Sequence, residues 1–144
     1  MRENCVFCEN YINLSEMKNK KEFLKNLAIA LYSLSHSEVY DGRISIGGIY
    51  HKNYYEIIEN TFCCGKSDVI FLIGCEIKQF LRNTKHNLCN YGIYFLKKNG
   101  ENYIKIYSGN GYLLSRKQQN FVETKLLTNK IKSDKIILDE RVEN

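Results

Sequence analysis

Apolar residues at Leu24, Leu27, Ala28, Leu31 and Leu34 recur at helical spacing behind Ser15, a residue type that caps helices, with Glu16 in the first turn. This predicts an amphipathic helix over 16–35 with one face in a core. The period then changes. Ile44, Ile46 and Gly48 alternate after the turn pair Asp41-Gly42, which predicts a strand from Arg43 to Tyr50; Gly47-Gly48 marks a bulge or a close approach of backbone. Asn53 is placed to cap a short helix whose Tyr54, Ile57, Ile58, Thr61 and Phe62 share a face, and Gly65 stops it. After Asp68, the residues Ile70, Ile73, Ile77 and Phe80 fit a helix again. Val69 to Ile73 alone reads equally as a buried strand, and the helix is preferred.

Tyr91 to Lys98 and Glu101 to Ser108 flank Asn99-Gly100, a pair suited to a type I′ turn because both central residues need positive φ. A two-residue loop pairs Lys98 with Glu101, Phe95 with Ile104 and Ile93 with Ile106, leaving Tyr94, Leu96, Tyr103, Lys105 and Tyr107 on the opposite face. Ser115 with Gln118 three residues on is a capping-box pattern opening a helix over 116–129. Lys135 to Leu138 reads as a last short strand. The expected fold is α+β: an N-terminal amphipathic helix, a small antiparallel sheet including the Asn-Gly hairpin (91–108), and a C-terminal helix. One domain spans 1–144, with 1–13 and 139–144 frayed.

Composition changes this picture little. The 144 residues include 16 Lys, 16 Asn, 16 Ile and 11 Tyr but no Pro or Trp, a bias towards residues with A/T-rich codons that discounts the lysine total as a functional signal. Charge distribution changes it more. The net charge is +5, yet residues 78–132 hold eleven bases (Lys78, Arg82, Lys85, Lys97, Lys98, Lys105, Arg116, Lys117, Lys125, Lys130 and Lys132) against Glu101 and Glu123. Codon bias does not remove acids, so the asymmetry points to a solvated surface, an acidic protein partner, or a nucleic acid or nucleotide phosphate. No apolar run reaches membrane-span length and the first residues do not open a signal peptide, which leads to the expectation of a cytoplasmic protein with no membrane association.

Candidate chemistry is sparse. Cys5-Val6-Phe7-Cys8 has the spacing of half a zinc site or a redox pair, but Cys63-Cys64 is a poor second half, and Cys75 and Cys89 lie in apolar surroundings. Three histidines and no GxSxG give no hydrolase constellation. No catalytic residue, metal site or cofactor is therefore expected. Tyr94, Tyr103, Lys105 and Tyr107 interleave aromatics with a cation, as base-stacking sheets do. Gly109-Asn110-Gly111 leads to Ser115-Arg116-Lys117, where backbone amides and two cations at a helix start suit an anion.

The resulting expectation is a small non-enzymatic adaptor or inhibitor that engages an acidic protein surface through Tyr94, Lys97, Lys98, Tyr103, Lys105, Tyr107, Arg116 and Lys117. The alternative is a nucleic-acid or nucleotide binder using the basic-aromatic hairpin face. A Cys- or zinc-dependent enzyme comes third. Nothing in the sequence fixes the oligomeric state.

Overall fold

The computed structural model describes residues 6–8, 10–36, 42–62 and 68–128. Its elements, in chain order, are β1 (Tyr11–Asn13), a 3-10 turn (Leu14–Glu16), α1 (Lys20–His36), β2 (Arg43–Gly48), α2 (Lys52–Phe62), β3 (Asp68–Ile73), α3 (Ile77–His86), β4 (Tyr91–Lys98) and β5 (Glu101–Ser108). A last helix, α4, covers 116–128. The class is α+β. The expected strand at Lys135 to Leu138 lies outside the described residues.

α1 starts later than the sequence pattern suggests. Ser15 accepts the Asn102 N–H (2.9 Å) and pins the 3-10 turn to β5, while Asn19 caps the helix by accepting the Glu22 N–H (3.1 Å). Both residues are competent caps, but only Asn19 has a glutamate three positions on, and its Nδ2 also reaches the Glu22 carboxylate (3.4 Å). The predicted apolar stripe on α1 is buried in full.

The sheet is mixed, not antiparallel, with strand order β1-β5-β4-β2-β3. β1 pairs antiparallel with β5, and β5 antiparallel with β4. β2 runs parallel to both β3 and β4. The difference originates at residues 68–80, where one helix was expected. The apolar, partly β-branched run from Val69 to Ile73 instead forms β3, Gly74 turns the chain at φ +74°, and a separate helix begins at Ile77. Two strand–helix–strand units follow, β2-α2-β3 and β3-α3-β4, and such connections place their strands parallel.

These two units put their helices on opposite faces of the sheet. Ile44, Ile46, Ile93, Phe95, Ile104 and Ile106 face a single core shared with α1, with Tyr55, Ile58 and Phe62 of α2, and with Val122 and Leu126 of α4. α3 lies on the other face. There the Phe80 ring rests where Gly47 and Gly92 lack side chains: a Cβ at Gly47 would meet it at 2.6 Å and one at Gly92 at 2.9 Å. A buried Ser45–Thr84 hydroxyl pair (2.7 Å) ties the same helix to β2.

β4 and β5 are joined through Asn99 (φ 53°) and Gly100 (φ 79°), with Lys98 opposite Glu101. At the other end of the hairpin, Ser115 and Gln118 exchange reciprocal capping bonds, Gln118 N–H to Ser115 Oγ at 3.2 Å and Ser115 N–H to Gln118 Oε1 at 2.9 Å, which opens α4. No helix among the described residues is long and apolar enough to cross a membrane.

Candidate interaction surface

α3 is amphipathic in the sense its sheet contacts require. Phe80 and Thr84 are buried against β2 and β4, so Lys78, Arg82 and Lys85 stand on the solvent side, all exposed. Their spacing of four and then three residues places them in one row, about 10 Å long at 1.5 Å per residue. From Ile77 to His86 there is no acidic residue, and among the described residues none of the three cations makes an ion pair. His86 is exposed at the end of the same helix.

Beside α3 on this face lie the outward side chains of the hairpin and of β1. Tyr94 stands opposite Lys105, Leu96 opposite Tyr103, and Tyr11 of β1 opposite Lys105. Most of the predicted aromatic platform is used internally. Tyr107 is only 5% exposed. The Tyr94 ring packs on Phe80 (5.1 Å between centroids) and its hydroxyl donates to the Cys75 carbonyl (2.9 Å). Burial raises the Tyr94 pKa, helped by Cys75. Lys105 sits over the ring of Tyr11 at 4.5 Å and near that of Tyr107 at 5.6 Å. Partial burial works to lower its pKa, but contacts with Tyr107 and Tyr11 outweigh that and the net direction is upward. Tyr103 remains half-buried, edge-on to Tyr11, with its hydroxyl on Glu101 (3.1 Å), a bond that raises its pKa.

The eight residues singled out from sequence are thus not one patch. Lys97 and Lys98 are exposed at the turn end of the hairpin, whereas Arg116 and Lys117 are exposed in the first turn of α4, which starts three residues after the chain has turned back at Leu113 beside Tyr107. Along β5, the step from Glu101 at the turn to Tyr107 beside that return spans roughly 20 Å. The suggested anion pocket also loses donors. Gly109 N–H goes to the Asn90 carbonyl (2.8 Å), Gly111 N–H to the Ser108 carbonyl (3.0 Å), and Gln118 N–H to Ser115.

Sequence reasoning missed Lys78, Arg82 and Lys85 as a unit, although all three lie in the acid-depleted window. Cations at i, i+4 and i+7 with no acid between were the available signal. A single helix over 68–80 hides it, because α3 begins only at Ile77.

The carboxyl ends of the parallel strands form a second distinctive region. Here His51 lies between the rings of Tyr54 (5.3 Å) and Phe95 (5.7 Å), and its pKa is lowered, first by burial and then by Lys97. Tyr55 packs on Phe95 and Phe71, donates to the Ile49 carbonyl (2.8 Å), and has its pKa raised by burial. No nucleophile is poised beside His51 among these contacts. Cys89 is buried, and its thiol is pushed up to about 11 by burial, which suits packing and not reactivity. Cys8 is exposed, and Cys5 lies outside the described residues. Among the described residues no group of three or more His, Cys, Asp or Glu side chains is placed to hold a metal ion.

The chain matches no protein-family model, and no curated protein is similar to it.

Proposed function

We propose that this protein is a small binding protein, an adaptor or inhibitor, that engages an acidic surface of another protein through the cationic face of α3. The row Lys78-Arg82-Lys85 carries this reading: three exposed cations on one rigid helix, with no acidic residue on that helix. Such a row steers an acidic partner and fixes its register, since each like-charged competitor would meet repulsion along the whole helix. Lys98 and Lys105 extend the positive field across the same face. Lys97, Arg116 and Lys117 contribute to the overall field without joining the row.

The internal use of Tyr94 and Tyr107 favours a protein partner over a nucleic acid. Rings already packed on Phe80, or lying under Lys105 as those of Tyr107 and Tyr11 do, are not offered to bases, so on this face the stacking that sustains single-strand binding is reduced to Tyr103. Fluorescence anisotropy with poly-L-glutamate and with a single-stranded oligonucleotide, each across a salt series, separates the two. The proposal expects salt-sensitive binding of the acidic polypeptide that is lost on Lys78→Glu/Arg82→Glu/Lys85→Glu substitution. Tight, salt-dependent binding of the oligonucleotide alone would transfer the face to nucleic acid.

A further inference from the structure

β3 ends the sheet, and among the described residues no strand pairs with its outer edge. The direction of its backbone follows from two hydrogen bonds: Asp68 N–H to the Gly42 carbonyl (3.1 Å) and Gly74 N–H to the Gly48 carbonyl (2.9 Å). In a parallel ladder alternate residues bond to the neighbouring strand, so 68, 70, 72 and 74 face β2, and Val69, Phe71 and Ile73 turn their N–H and C=O groups outward. Their side chains point to the core side of the sheet. Phe71 stacks on Tyr55 (6.0 Å, 8°) yet is 39% exposed, and Ile73 is 52% exposed. Ile49 and Tyr50, at the end of β2, are exposed large side chains too.

Edges of this kind are ordinarily blunted by a lysine, a proline or a bulge. The run Val69-Ile70-Phe71-Leu72-Ile73 has none of these. It is also complementary to itself. An antiparallel pairing about a two-fold axis at Phe71 sets Phe71 against Phe71, and Val69 of one copy against Ile73 of the other. These are the residues whose backbone groups face outward, so every one of those groups gains a partner. On the opposite side of the strand, Ile70 meets Leu72. Asp68 falls beside Gly74, and its charge is already paired with Arg43 (3.1 Å), so no like charges are opposed.

We propose that two copies of this chain join through β3, antiparallel about a two-fold axis beside Phe71, to form one continuous sheet. A two-fold axis normal to the sheet leaves both α3 helices on the same side. The dimer does not depend on the charge reading of α3, and salt separates them: apolar pairing of two cationic chains strengthens with added salt, whereas acidic-partner binding weakens.

Sedimentation equilibrium of the full chain under reducing conditions, over a concentration series, tests this. The expected result is a concentration-dependent rise from 16.9 kDa to twice that mass. Hydrogen exchange at Val69, Phe71 and Ile73 should slow in parallel. The Ile73→Lys variant should remain at monomer mass with an unchanged far-UV circular dichroism spectrum. A chain that stays monomeric at all concentrations, an Ile73→Lys variant that still dimerises, or slow exchange at these amides in the monomer would each overturn the proposal.

Discussion

The ring of Phe80 occupies the space that a side chain at Gly47 would need, with only 2.6 Å between its Cδ2 and the position of a Gly47 Cβ. Together with the matching gap at Gly92, this sets how closely α3 approaches the sheet and so how its cationic row is presented. Gly47→Ala should therefore destabilise the fold by about 1–3 kcal/mol through overpacking. Phe80→Ala should cost about 3–5 kcal/mol through the cavity it leaves. In the double variant the alanine at 47 loses its clash with the ring, although the Leu72 carbonyl oxygen at 2.7 Å still crowds it, so the two effects should be partly non-additive in urea denaturation. Simple additivity would mean that the two positions are not in contact.

Residue His51 gives a pH dependence. Its folded pKa is below the ordinary value of about 6.5, so the unfolded chain binds the proton more readily than the folded one. His51 therefore favours folding above that ordinary value, and the contribution is lost as pH falls below it towards the lower folded pKa. Urea midpoints measured at pH 7.5 and pH 5 should drop more for the wild type than for His51→Gln. Lys97→Met should reduce the drop in part, because the lysine is the lesser of the two causes.

Ser115 and Gln118 bond reciprocally at the start of α4. Ser115→Ala should lower stability by about 1 kcal/mol, as loss of a helix cap does. Ser115→Thr should retain most of it. Equal losses in the two variants would show that the hydroxyl is not the capping group.

How far the fold is legible in the sequence depends on what decides each element. The α1 core stripe is local, as are the residues that form the Asn99-Gly100 turn and the Ser115–Gln118 box, and the chemistry needed for each lies within a few residues. The start of α1 is ambiguous because Ser15 and Asn19 both suit a cap; the Glu22 partner favours Asn19 locally, and Ser15 is taken up by Asn102, far along the chain. β3 is not legible as a strand because its five apolar residues carry no period of their own. Only its lateral pairing with β2 makes it a strand. The mixed character of the sheet followed from that one segment, and so did the placement of the candidate surface. Charge asymmetry points to the stretch of chain that holds α3, while the role of Tyr94 depends on Phe80 of α3 lying across the sheet, which no local pattern announces. The pair Gly47-Gly48 did signal a close approach, but what approaches Gly47 is Phe80, a tertiary fact.

The most direct test of the central claim compares two charge-reversal variants in binding to a fluorescently labelled poly-L-glutamate at low salt. One carries Lys78→Glu, Arg82→Glu and Lys85→Glu on α3; the other carries Arg116→Glu and Lys117→Glu, outside the row. The account predicts at least a tenfold weaker affinity for the first and a change of only a few fold for the second, with both folded by circular dichroism. Equal weakening by the two variants, or no weakening by the α3 variant, would contradict it.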